Sequence, residues 1–336
     1  MRTAKDYLDL RLAAAREQWR SIQERQLPTS GRQVDFTPVE TLLCLAASLL
    51  VNHRRYGGST SHLAEQPVPA LATLFRRPNS SVLAKMANLD GSRTNGAKYE
   101  IEVATQLLSV PGELEARYRT VLRAAREVGI DESTLPDFLD VEPDDSPLDL
   151  LGQEELTDAE VESDVRQASA AWRRKRPDLD DQITERLLMA TARIGQHRFA
   201  TGVLRNHGHR CVFCGLTVTV AGRRAARMLV ASHIKSWRHS SPVERLDVRN
   251  GLTACPTHDV AFDTGLITVN GGLRIHVNPA LHASTSLDPA TRAAFGRPPL
   301  GERLLLPSGA MEPEQKYLSW HHANIYRAAP GGAPGS

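Results

Sequence analysis

Two short knuckles restrict this chain more than any other feature. "HRCVFCGL" carries Cys211 and Cys214, and "TACPTHDV" carries Cys255 and His258, with 40 residues between the pairs. Two residues separate the donors within each pair, so both donor atoms of a pair can reach one ion. Two such pairs supply the four ligands of a tetrahedral structural zinc site. Gly215 and Pro256 stand where tight knuckles need them. The bland alternative is a set of buried thiols with His258 incidental. A zinc held here would clamp the start of a β-hairpin to the start of a helix. The ββα element so enclosed has too little core to hold itself together.

Inside the clamp lie His233, at the end of the apolar run "MLVA", and Asn250, Asp259 and Asp263. A helix through the last two places them four apart on one face. The flanking text is distinctive. "RIGQHRFATGVLRNHGHRCVFCGL", "LVASHIKSW" and "RLDVRNGLTACPTHDVAFDTGLI" keep their order. They resemble the HNH endonuclease family, in the subgroup with GQ-x-x-F, HIK-x-W, NGL and FD-x-GLI motifs. The resemblance covers residues from about 190 to about 285 and extends weakly to "YLSWHH".

The resemblance implies a ββα-metal finger that hydrolyses phosphodiesters. It makes His233 the general base and Asn250 the residue that pins the loop so that the histidine faces the phosphate. The final metal-binding position falls on Asp263, our first choice for a catalytic Mg²⁺ or Mn²⁺, with Asp259 second. The chemistry agrees with these residue types. The reaction needs a water, a base to take its proton, and a cation for the charge that builds on phosphoryl oxygens. An imidazole titrates near neutrality, and carboxylates are hard ligands. Two positions depart from the family pattern. Ser232 stands before the base, where an acidic residue or a second histidine is common. His258, nameable as the last letter of the motif, is assigned to zinc by its spacing from Cys255; without zinc it returns as a catalytic ligand.

The rest of the chain is read from pattern and charge. Residues 1–25 form an amphipathic helix, with Tyr7, Leu8, Leu12, Trp19 and Ile22 on one face. Thr37, Pro38 and Glu40 start a second helix, with Thr37 as cap, that runs to about Asn52 and holds Cys44 as a core residue. Residues 68–93 read as two short helices around "RRPN", the second capped by Ser80 or Ser81 and exposing Lys85, with Arg76, Arg77 and Arg93 beside it. This is either a DNA-binding helix-turn-helix or a plain helical hairpin. Helices follow at roughly 97–109 and 111–128. A long helix spans about 180–206, a β-hairpin turns at Asn270-Gly271-Gly272, and "YLSWHHANIYR" closes the chain as a helix.

The net charge of +2 hides an asymmetry. Residues 137–165 hold 12 acidic residues and no Lys or Arg, leaving 41 basic against 27 acidic elsewhere. A basic body fits either a nucleic-acid binder or a solvated surface of mixed charge. Phosphate-gripping candidates are Arg193, Gln196, Arg198, Lys235 and Arg238, then Arg223, Arg224 and Arg227, with Arg76, Arg77 and Lys85 in the first half. No apolar run reaches the roughly 18 residues of a membrane span. The charged N-terminus is unlike a signal peptide, so a cytoplasmic protein is expected.

The expected class is α+β: a helical N-terminal domain (1–135) that grips or chooses the target, an acidic linker (136–179), a zinc-stabilised HNH nuclease domain (180–328) and a flexible tail (329–336). A capping box at Thr157 and Glu160 would turn the end of the linker helical. The expected partner is DNA, double-stranded, with no membrane; a homodimer is allowed. The expected function is a metal-dependent DNA endonuclease of restriction or defence, with modification dependence open. The alternatives are a non-catalytic zinc-containing DNA-binding protein, which Ser232 favours, and an RNA-directed nuclease.

Overall fold

The computed structural model describes residues 3–26, 34–93, 99–141, 165, 181–217, 219–220, 223–224 and 228–327. Most of the acidic linker, the Thr157–Glu160 box and the tail lie outside them. The chain divides into two compact units, and the division falls inside one helix, between Ile194 and Gly195.

The first unit is helical: α1 (Lys5–Leu8), α2 (Leu12–Gln23), α3 (Pro38–Ser48), α4 (Val68–Leu74), α5 (Asn79–Leu89), α6 (Glu100–Ser109), α7 (Glu113–Glu127) and the first half of α8 (Asp181–Asn206). The expected first helix is broken at residues 9–11, and α3 stops at Ser48, short of Asn52. The start of α3 is as its sequence predicts. Thr37 Oγ1 accepts from Glu40 N (3.2 Å) and Glu40 Oε2 accepts from Thr37 N (2.8 Å), a reciprocal capping box. Leu42, Leu43, Cys44 and Leu45 then enter a core shared with Trp19, Phe75, Val121 and Tyr118. The Trp19 indole donates to Val121 O at 3.0 Å, so its one polar atom is satisfied in that core. Burial pushes the Cys44 thiol upward, consistent with an inert packing residue.

Charges enter this core as well. Glu40 is fully buried and takes Arg25 at 2.6 Å and Arg77 Nε at 2.8 Å. Burial works to raise its carboxyl, but hydrogen bonds from Arg25, Arg77 and the Thr37 backbone together hold it below the ordinary range. Lys85 pairs with Glu100, and Arg77 and Lys85 lie over the Phe36 ring at 4.0 and 4.5 Å. This corrects two expectations. Lys85 and Arg77 are 8% exposed, committed to buried carboxylates and an aromatic face, and do not present charge to a phosphate. The two helices α4 and α5 do form a short-turn hairpin, yet the residue meant to be displayed faces inward. The cap of α5 is also different: Pro78 holds that position, and Asn79 spends its amide on Ser61 O. Arg76 is exposed and donates to Arg25 O.

In the second unit α8 continues to Asn206. Strands β1 (Thr219–Val220) and β2 (Arg223–Arg224) pair antiparallel, as do β3 (Val230–His233) with β4 (Gly251–Ala254) and β5 (Ile267–Val269) with β6 (Ile275–Val277). Helix α9 (Pro256–Asp263) follows β4, giving the expected ββα order, and the β5–β6 turn falls at the predicted glycines. Helices α10 (Pro279–Leu287) and α11 (Pro289–Phe295) were not read from the sequence. Asn278 and Asp288 cap them, each followed by a proline at the first helical position. The chain closes with α12 (Gln315–His321) and a π turn to Tyr326. The core here is smaller and gathers Cys211, Phe213, Leu252, Phe262, Ile267 and Tyr317. A separate knot joins Phe199, Ala200 and Val203 of α8 to Ala231 of β3. No helix among the described residues is long and apolar enough to cross a membrane.

Candidate functional site

The first knuckle turns at Gly215, whose φ of +76° suits a residue without Cβ and whose N–H donates to Cys211 O at 2.8 Å. Val212 N donates to Thr253 O (2.9 Å) and Leu305 N to Val212 O (2.7 Å), so the knuckle is stitched to β4. The second knuckle opens α9, with Cys255 as its N-cap residue and Pro256 first in the helix. Cys211, Cys214, Cys255 and His258 thereby meet, with donor atoms within 4.8 Å of one another. His258 Nδ1 is 3.2 Å from Cys255 Sγ and 3.8 Å from Cys211 Sγ. Zinc–sulfur and zinc–nitrogen bonds of about 2.3 and 2.0 Å set tetrahedral edges of about 3.5 to 3.8 Å, so the donors fit that ion. The remaining ring nitrogen adds to the fit. His258 Nε2 lies 3.1 Å from Ala294 O, an acceptor only, so it carries the proton and leaves the Nδ1 lone pair facing the sulfurs. Hydrogen bonds from Cys211, then Cys214, outweigh burial and draw the Cys255 thiol far below its ordinary range. This set could hold structural zinc.

His233 ends β3, opposite Gly251 in the ladder. It is 6% exposed, and its ring lies flat on Phe199, with centroids 3.8 Å apart at 10°. Trp237 meets it edge-on at 6.0 Å. His233 Nε2 is 3.1 Å from Arg245 O, so this nitrogen is the donor and Nδ1 keeps its lone pair. Arg245 is itself latched: its guanidinium lies 4.6 Å over the Trp237 ring and its Nε donates to Trp237 O at 3.0 Å.

Asn250 is fully buried and closes the loop after β3. Its Oδ1 accepts from Lys235 N (2.9 Å). Its Nδ2 donates to Glu244 O (3.0 Å), Lys235 O (3.2 Å) and Ser240 Oγ (3.4 Å). One side-chain amide therefore ties both ends of the segment that carries the Arg245 carbonyl. Asp259 and Asp263 lie on α9, the first half-buried and the second exposed. Ser232 Oγ donates to Asp263 Oδ1 at 3.3 Å, so the residue before the histidine engages the carboxylate expected to bind metal. Among the described residues, the thiol cluster is the one set of three or more His, Cys, Asp or Glu donors close enough to share an ion. A cation at Asp263 and Asp259 would thus rely on water and phosphate for its remaining ligands.

The phosphate candidates separate. Arg198 and Arg238 are exposed, Lys235 is paired with Glu244 at 2.8 Å, and Arg193 is half-buried in the first unit's part of α8. Hydrogen bonds from Lys235 and the Ser241 backbone draw the Glu244 carboxyl down to about 2. Gln196 is fully buried, so its expected role at a phosphate is corrected: it packs inside the helix face that also buries Phe199. The side chains of Arg223, Arg224 and Arg227 lie outside the described residues. Arg245 was not anticipated, because it contributes a backbone carbonyl, which no residue-type pattern announces.

Residues 211–270 match the family model for HNH endonucleases. That stretch holds the four thiol-and-imidazole donors, His233, Asn250, Asp259 and Asp263. The match supports nuclease chemistry, metal dependence and a nucleic-acid substrate. No curated protein matches the chain.

Proposed function

We propose that the HNH segment makes this protein a divalent-metal-dependent endonuclease acting on double-stranded DNA. The observation that carries the reading is the polarity of His233. With Nε2–H committed to the Arg245 carbonyl, Nδ1 is the atom able to accept a proton. A water oxygen forms the new bond to phosphorus while Nδ1 takes its proton, and the bond to the leaving sugar oxygen breaks. Asp263, with Asp259, would hold Mg²⁺ or Mn²⁺, which when bound offsets charge on the phosphoryl and leaving oxygens. Asn250 keeps the loop closed so that the imidazole retains its orientation. Cys211, Cys214, Cys255 and His258 would hold zinc as a structural clamp. Exposed Arg198 and Arg238 would position the backbone without reading bases. The role extends to restriction of foreign DNA, modified or not, with the helical unit selecting the target.

The test is plasmid nicking with Mg²⁺ or Mn²⁺ against EDTA, run in parallel on RNA and on phage DNA with and without base modification. We expect metal-dependent cleavage of DNA. His233→Ala should abolish it and leave zinc content and DNA binding unchanged. Undiminished cleavage in that variant overturns the base assignment, and cleavage confined to RNA overturns the substrate.

A further inference from the structure

The imidazole of His233 meets the Arg245 carbonyl through Nε2 at 3.1 Å. One face of the ring rests on another element. Gly251 pairs directly with His233 across the β3–β4 ladder. A Cβ built on Gly251 would lie 2.8 Å from Phe199 Cζ and 2.4 Å from Val203 Cγ2, closer than side chains tolerate. The place that a cross-strand neighbour would fill is thus taken by Val203 and the Phe199 ring, both from α8. That ring lies parallel to the imidazole at 3.8 Å, while Trp237 approaches edge-on. Phe199 is 2% exposed and belongs to the knot with Val203 and Ala231, so its plane is set by packing independent of the histidine.

We infer that Phe199 is a positioning residue for His233, and that Gly251 leaves the room that it and Val203 occupy. The flat face holds the imidazole plane, the Arg245 carbonyl sets which nitrogen carries the proton, and together they aim the Nδ1 lone pair. This rests on the proposed role of His233 as base. A base turned out of line loses rate and not substrate affinity, and a misplacement of about 1 Å can cost about 100-fold.

The test uses full-length protein. Phe199→Leu keeps an apolar, buried side chain and removes the flat face. Its kcat for plasmid nicking should fall by about 10- to 100-fold, with KM for DNA within about twofold of wild type. Gly251→Ala, whose methyl would press on both Val203 and Phe199, should show the same split. Histidine-selective ¹⁵N NMR of the wild type needs no variant to fold. It should show His233 as the Nε2–H tautomer, with ring protons shifted upfield by the phenyl face. Cleavage that needs His233 but is untouched in Phe199→Leu overturns this inference alone. So does a wild-type His233 with the Nδ1–H tautomer or unshifted ring protons. Wild type that cleaves no nucleic acid overturns the proposed function, and the inference with it.

Discussion

Among the described residues, the first unit buries forty apolar side chains in one cluster, and the second has clusters of seventeen and four. The larger core also takes in ionised groups, with Glu40 between two guanidiniums and Lys85 against Glu100. The smaller one instead gathers three thiols and an imidazole that could hold zinc. Burying a charge is costly unless its partner comes with it, and the first unit carries its partners in its own sequence. With zinc in the proposed clamp, the second takes its partner from solution, and its stability is conditional on metal supply. On that reading one unit is self-sufficient and the other is completed from outside.

That contrast can be broken experimentally. The largest effect is expected from Cys255→Ser or from prolonged chelation. The free energy of a structural zinc site is about 10–16 kcal/mol, so the second unit should lose its cooperative transition while the first keeps its own. Calorimetry with zinc analysis reads both, and a second unit unmoved by zinc loss refutes the conditional view. Next, Glu40→Ala leaves Arg25 and Arg77 facing each other in the core and should cost the first unit about 3–5 kcal/mol. Denaturant titration checks this, and the second unit should not respond. Asn250→Ala should cost the second unit about 1–3 kcal/mol by stranding the Lys235 amide and its neighbours, and should lower cleavage with it.

Acid distinguishes the units more gently. The Glu40 carboxyl is depressed in the folded state, so its contribution is complete above the ordinary glutamate value of 4.5. It is lost as pH falls below that value toward the folded one. The first unit should hold its stability from pH 7 to about 5 and weaken below about 4.5, and Glu40→Gln should flatten that dependence. Thermal melts across pH 3–7, at about unit intervals, measure it. The smallest effect belongs to Arg238→Ala, exposed beside the site. It should weaken DNA binding alike on all sequences and reduce the salt slope by about 0.9.

What sequence reading delivered followed from local rules. The knuckle spacing led to the donor cluster, Thr37 and Glu40 to a capping box, and Asn270-Gly271-Gly272 to a turn between two strands. The errors came where a partner lies far along the chain. Nothing near Lys85 announces that Glu100, 15 residues further on, will draw it inward. Gln196 sits among polar and basic residues in sequence, yet the rotation of α8 that buries Phe199 buries it too. The aim of His233 depends on a carbonyl and on a ring from another element, and neither is visible as a residue type at the histidine.

The hydrogen bond from His258 to Ala294 bears on where a working fragment ends. The family match stops at residue 270, but the ring of one candidate zinc ligand leans on α11, beyond that limit. Tyr317 Oη holds Asp247 at 2.8 Å, and His321 stacks on Phe262 at 3.7 Å, both from α12. A fragment excised at the borders of the family match would release His258 to rotate and strip the cover from α9. The smallest portable version of this site runs at least from Phe199 to His321.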